Sequence, residues 1–364
     1  MRIPWKWLSL VVPVTLLAAC SDEPSAPQTT RVTGPSASLH AGRQAVTIKD
    51  LGTLGGVTSS AAAINDEGWV VGTSDLMQAG VSHAFLWRDG RMMDLGTLGG
   101  TSSNALGINN NGDVVGQSQI AGDTVVHAFR WSHGRMTDLG GLGGVAAQGY
   151  VINDRGDVAG GGLTPDWAFH AALWRHGKVT DLGTLGGDWS WSNGINDEDV
   201  VVGGAAITGD VATHAFLWKH GVMTDLGTLG GSYASASSIN GDGAVAGGSG
   251  VAGDVTQHAF LWRTGTWTDL GTLGADYPYS FAQWINDMGQ VVGVSCAISG
   301  FSNFPCHATL WYDGAVTDLG ILPGGMEFSW AYSINNRGQV AGNAFTATGA
   351  THAVLWTTPE HDGR

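Results

Sequence analysis

The chain has 364 residues, of which 58 are Gly, 43% are hydrophobic and only 13% are charged, and its formal net charge is −15. So negative a chain, with no cluster of Lys and Arg, excludes a nucleic-acid phosphate backbone as partner. Gly far above its usual share of about 7%, mixed with Val, Leu and Trp and without a triplet period, excludes collagen and points to short strands joined by tight turns.

The N-terminus reads as a targeting segment over residues 1–19. Arg2 and Lys6 precede a short apolar run from Leu8 to Leu17, too short to span a bilayer as a helix. Leu17-Ala18-Ala19-Cys20 then resembles the lipobox of bacterial lipoproteins. That resemblance implies cleavage before Cys20, acylation (palmitate among the chains) and a membrane anchor, since several chains hold where one is marginal. Ser21 after the Cys implies the outer membrane, with the domain periplasmic or extracellular. Residues 20–44, rich in Ser, Pro, Thr and Ala, read as a flexible tether. Export permits a disulfide, and Cys296 and Cys306 are the two cysteines left to form one, free thiols being the alternative.

Val46-Thr47-Ile48-Lys49-Asp50-Leu51 is a strand-like run that stands before any repeat. From there the chain repeats itself. Asp-Leu-Gly recurs at Asp50, Asp94, Asp138, Asp181, Asp225, Asp269 and Asp318, at steps of 44, 44, 43, 44, 44 and 49 residues. Each unit predicts four strands. In the unit from Asp225, strand a is Ala236–Asn240, strand b Ala244–Gly248, strand c His258–Trp262 and strand d Thr266–Leu270. The a–b turn reads I-N-x-x-G, with Gly at 68, 112, 156, 243, 289 and 338 and Asp199 in the fourth unit, where a left-handed residue under some strain is expected. Four strands per unit is the size of a propeller blade. The last unit lacks a strand d, and the run before Asp50 is a spare one. The expected fold is therefore all-β, a seven-bladed β-propeller over residues 45–358, closed by its N-terminal strand, with 359–364 as a tail. Small residues on a and b put those strands inside, and large ones on c and d put those outside.

His258-Ala259-Phe260-Leu261-Trp262 and Asp269-Leu270-Gly271-Thr272-Leu273-Gly274 resemble the bacterial extracellular HAF repeat family. The likeness covers residues 45–356, with departures at Arg130, Ala172, Thr309 and Pro323. It implies export and repetition, and carries no established activity.

Seven His, from His83 to His352, stand one per unit, so they cannot converge on one ion. They are expected to be buried imidazoles bonded within their own units, to the D-L-G Asp or the Ile-Asn Asn, and no metal or cofactor is assigned. Function is expected where the copies differ. Six residues before the Ile of Ile-Asn, the units carry Thr58, Ser102 and Ala146, then Trp189, Tyr233, Tyr279 and Phe328. Trp191, Tyr277, Trp284, Trp330 and Tyr332 flank them, with Phe281. An exposed aromatic half-rim beside Asp188, Asp276 and Glu327 predicts a monomeric, non-enzymatic surface protein that binds a glycan or a protein. The alternatives are a structural or adhesive protein without a pocket, with Ca²⁺ at its acidic loops, and a propeller lyase or hydrolase using those three carboxyls. The opposing expectation for the rings themselves is that they pack between blades.

Overall fold

The computed structural model describes residues 46–297 and 305–358; the signal segment, Cys20, the tether and the tail at 359–364 lie outside the described residues. The described residues are all-β, without a helix. β1 (Thr47–Asp50) comes first. The next strands are β2 (Gly55–Ile64), β3 (Val70–Leu76), β4 (Ser82–Arg88) and β5 (Arg91–Asp94), then β6 (Gly99–Ile108), β7 (Val114–Ile120), β8 (Val126–Ser132) and β9 (Arg135–Gly140). β10 (Ala147–Ile152), β11 (Val158–Leu163), β12 (Phe169–Arg175) and β13 (Lys178–Asp181) follow. After them come β14 (Gly186–Ile195), β15 (Val201–Ile207), β16 (Thr213–Lys219) and β17 (Val222–Gly227). The chain continues through β18 (Gly230–Ile239), β19 (Val245–Val251), β20 (Gln257–Arg263) and β21 (Thr266–Gly271), then β22 (Tyr279–Ile285), β23 (Val291–Cys296), β24 (Cys306–Tyr312) and β25 (Ala315–Asp318). It ends with β26 (Ser329–Ile334), β27 (Gln339–Phe345) and β28 (Thr351–Thr357).

Each repeat folds as an antiparallel a-b-c-d run, as in β2-β3-β4-β5. The last run is β26-β27-β28 completed by β1, with Ile48 opposite Trp356 and Asp50 opposite Val354. The spare N-terminal strand thus pairs where expected. Seven separate four-stranded sheets are not what forms, however. Five stand alone, and the sixth holds eight strands, β14–β17 and β18–β21. One parallel bridge, Thr213 to Tyr233, joins β16 to β18 and merges those two runs. The same contact recurs between Val126 and Ala146 and between Cys306 and Phe328, where the partner lies one residue before its strand begins.

The HAF residues fill the core. Ala84, Phe85, Phe129, Phe216 and Phe260 are wholly buried, as is Trp356. The indole N–H groups of Trp174, Trp311 and Trp356 are buried without a hydrogen-bond partner among the described residues, so these rings serve by packing. On strand b, Gly of V-V-G faces a bulge in strand a, between Ala61 and Ala63 in the first unit. A Cβ on Gly72 would sit 1.9 Å from the Ser60 carbonyl oxygen.

Units are stitched together at the Ile-Asn turns. Each Asn is buried and accepts backbone N–H groups of its own turn through Oδ1, as Asn65 does from Trp69. Its Nδ2 donates to the next unit's Asn carbonyl: Asn65 to Asn109, Asn109 to Asn153, Asn153 to Asn196, Asn196 to Asn240, Asn240 to Asn286 and Asn286 to Asn335. Asn335 donates back to Asn65 at 2.9 Å, so the chain of bonds is a closed ring. Strands a therefore lie innermost. The a–b and c–d turns share one face, the turn face. The d–a connectors and b–c loops share the other, the connector face.

Asp199 has the expected left-handed backbone, φ 60°. Arg155 and Arg175 of the preceding unit hold its carboxylate. Nearby Asp157 has its carboxyl raised by burial and by its hydrogen bond to Asp199, against the pull of Arg175.

Candidate functional site

The seven repeat His each set Nδ1 on the D-L-G Asp of the same sheet, at 2.7–2.9 Å. The pair His352–Asp50 joins the last strand to the first. The D-L-G partner is the one formed; the Ile-Asn Asn is engaged in its ring. The Asp also accepts the N–H two residues on, as from Gly96 to Asp94 at 2.7 Å, which fixes the turn after strand d. These imidazoles are about one-fifth exposed rather than buried.

His307 departs from its sisters. Tyr277 packs on its ring, with centroids 5.1 Å apart. Its hydrogen bond to Asp318 raises its pKa above the usual 6.5 despite burial, with the Asp318 and Glu327 charges adding to the rise. Burial alone would raise Asp318, but the His307 and Gly320 hydrogen bonds bring it below 3.8. A His with a raised folded pKa stabilises fully below its unfolded value and loses that contribution as pH rises through the raised value. A lowered Asp stabilises above its unfolded value and loses it as pH falls through the lowered one. The pair therefore stabilises most between about pH 3.8 and 6.5. The expected outcome is that wild type loses melting temperature from pH 5 to pH 8 by more than His307→Gln does. Equal slopes in parallel thermal melts would refute it.

The aromatic residues run along the inner strands on the connector side. None of the nine is exposed; all are half-buried, which corrects the expectation of open rings. Trp189 and Trp191, two apart on β14, stack with centroids 4.9 Å apart and planes 6° off parallel. Trp330 and Tyr332 stack the same way on β26 at 5.7 Å and 9°. Phe328 stacks on Phe345, and burial pushes the Tyr233 and Tyr332 phenols up to about 12. Tyr279, Phe281, Phe328 and Trp330 pack around the buried Cys296 and Cys306. Those cysteines are directly paired across β23 and β24 and form the expected disulfide.

Trp284 belongs elsewhere. It packs against the core cluster of Ala331 and Ile334 and also against the cluster of Val151 and Ile195, which come from strands on the far side of the ring. Its indole crosses the ring axis, where the matching positions hold Ala63, Gly107, Val151, Gly194, Ser238 and Ser333. The matching inner-strand positions of the first three units carry Thr58, Ser60, Asn104 and Gln148, and Tyr150 is the one aromatic on those strands, in the register of Tyr332.

Sequence reasoning missed the outer part of the connector face. Trp167 is 66% exposed at φ 69°, presented by a b–c loop in which Thr164 Oγ1 bonds the Asp166 carboxylate and accepts the Ala168 N–H. Met77 is 87% exposed, and Val211 and Val255 are each 74% exposed, all on b–c loops. The signal was the pair Gly209-Asp210-Val211 and Gly253-Asp254-Val255, matched by Pro165-Asp166-Trp167. Asp210 and Asp254 tie these loops to strand a by accepting the Asp188 and Ser232 N–H groups.

Charge is split between the faces. No Lys or Arg occurs in any d–a connector or b–c loop of the sequence. Arg88, Arg91, Arg135, Lys178, Lys219 and Arg263 flank the c–d turns, and Arg155 and Arg337 stand in a–b turns. Lys49 reaches the Trp87 ring, Arg130 the Asp113 carboxylate and Arg175 the Asp157 carboxylate, all toward the turn face. The connector face carries Asp123, Asp166, Asp188, Asp276 and Glu327, all exposed, besides the D-L-G carboxylates. No group of three or more His, Cys, Asp or Glu among the described residues is arranged to hold a metal ion.

The all-β ring is a β-propeller. A superposition with the β-propeller domain of the Trilobed protease from Pyrococcus furiosus covers 84% of this chain and 96% of that one, at TM-score 0.53 and 12% identity. That domain is described as having an open velcro topology, whereas here β1 completes the last sheet. More distant likenesses are XC5397 from Xanthomonas campestris, described as a gluconolactonase (TM-score 0.44, 12% identity, 90% and 99% covered), and TolB from Acinetobacter baumannii (0.43, 10%, 80% and 81%). No family model and no curated protein matches the chain.

Proposed function

We propose that this chain is an exported, lipid-anchored repeat protein that binds a ligand without catalysis through the connector face of a seven-bladed propeller. The blades are the seven a-b-c-d runs, two of them fused by the Thr213–Tyr233 bridge. The HAF-repeat likeness and the lipobox at Cys20 support export and anchoring. The observation that carries the binding reading is the pair of parallel ring stacks, Trp189–Trp191 and Trp330–Tyr332, on innermost strands. Flat rings that keep part of their surface in water offer stacking area to a sugar ring or a peptide side chain. The sevenfold repetition of the His–Asp pair in one geometry supports a structural role for it rather than an acid–base one.

A glycan array probed with wild type and with Trp189→Ala/Trp330→Ala tests the glycan form of this reading. Binding to a defined glycan that the double variant loses about tenfold or more is the expected result. Silence of a correctly folded wild type across the array would remove glycans as the ligand.

A further inference from the structure

The connector face combines three features, the last of which the turn face lacks. Apolar side chains stand in water on its outer loops, Met77, Trp167, Val211 and Val255. Exposed carboxylates precede rim aromatics in the chain, Asp188 before Trp189, Asp276 before Tyr277 and Glu327 before Phe328, and the charges of Glu327 and Asp276 act on Tyr277. And no Lys or Arg of the sequence lies in its connectors or loops. On the turn face, part of the negative charge is paired with Lys or Arg. Glu67 pairs with Arg337, Glu198 with Lys219 and Asp113 with Arg130 on the turn face.

Exposed apolar groups rimmed by charge mark association surfaces. An uncompensated negative field selects a positive partner and repels a negative one. These carboxylates lie on the fourth, sixth and seventh units, while the exposed Trp167, Val211 and Val255 lie on the b–c loops of the third, fourth and fifth. One extended segment crossing the face would meet both in turn.

Building on the binding reading above, we infer that the connector face docks a cationic polypeptide segment in which Lys or Arg alternates with apolar side chains. Its basic groups seat at Asp188, Asp276 and Glu327. Its apolar groups seat on the outer-loop residues. An acidic polypeptide and an anionic saccharide are excluded by the same field.

The test uses a labelled peptide of alternating Lys and Leu, with a Glu–Leu counterpart, followed by fluorescence anisotropy at two salt concentrations. Wild type should bind the Lys–Leu peptide, bind it more weakly at high salt, and ignore the Glu–Leu peptide. Asp188→Lys/Asp276→Lys/Glu327→Lys should lose about tenfold or more. A charge-matched control on the turn face, Glu67→Lys/Glu198→Lys/Asp242→Lys, should retain wild-type affinity. Should the first triple variant fail to fold, Asp188→Asn/Asp276→Asn/Glu327→Gln takes its place with a smaller loss in the same direction. Equal losses in both triple variants would reduce the effect to net charge and overturn the inference, as would equal binding of the two peptides or none at all. A glycan bound without peptide binding overturns this inference alone and leaves the rim reading standing.

Discussion

Deleting residues 46–50 should open the ring and cost on the order of 5 kcal/mol of stability. The figure combines partial burial of Val46 and Ile48 against the Trp356 cluster with the four-residue ladder to β28. Trp356, wholly buried in the intact protein, would face water along one side. β28 would become a free edge, and a long apolar edge recruits another chain. The deletion variant should therefore melt lower and run as soluble aggregates in size-exclusion chromatography. His352→Ala, which removes only the partly exposed clasp to Asp50, should cost less than about 1 kcal/mol. A deletion variant that stays monodisperse with wild-type melting would mean that the Asn335–Asn65 end of the ring closes it unaided.

The strands, their order and the clasp were legible because they follow from local pattern and period. Asp-Leu-Gly, Ile-Asn and His-Ala-Phe mark the ends of strands d, a and the start of c in every copy, and the missing last d matches the spare first one. The left-handed Asp199 and the Cys296–Cys306 pair were legible for similar reasons, one from a turn rule and one from elimination. What escaped is what two copies do to each other. Nothing local in Asn109 says that its amide donates to Asn153 rather than to its own turn. Nothing local in Ser103 says that its hydroxyl accepts the Ala84 N–H of the preceding unit while donating to the Gly96 carbonyl. The aromatic residues were legible as a set but not in their exposure, because period gives a side chain's face and not the depth of the neighbour it meets. Trp284 is the sharpest case. Sequence placed it on a rim, and the β-bulge between Ala282 and Trp284 turns it across the axis instead.

Gly203→Ala should be among the most damaging single substitutions in the chain. The Cβ would fall 1.9 Å from the Trp191 carbonyl oxygen and 2.8 Å from the Ser192 Cα, both backbone atoms. They are that close because the bulge between Ser192 and Gly194 pushes strand a onto strand b, and the same approach recurs at Gly72, Gly116, Gly160, Gly247, Gly293 and Gly342. No rotamer relieves a backbone clash, so the strands must separate, at a cost of about 3 kcal/mol or more. Gly90→Ala is the informative comparison. Gly90 has φ 75° and nothing within 4 Å of an added Cβ, so its cost is the left-handed penalty alone, about 1–2 kcal/mol. Urea unfolding of the two variants separates the effects, and equal losses would mean that strand b can yield. The consequence reaches the proposed site. The Trp191 indole lies over Gly204, whose added Cβ would meet its Cζ2 at 2.8 Å. Displacing β15 at Gly203 therefore moves the floor on which the Trp189–Trp191 stack rests. Any ligand that uses that stack should bind Gly203→Ala more weakly even at temperatures where the variant is still folded.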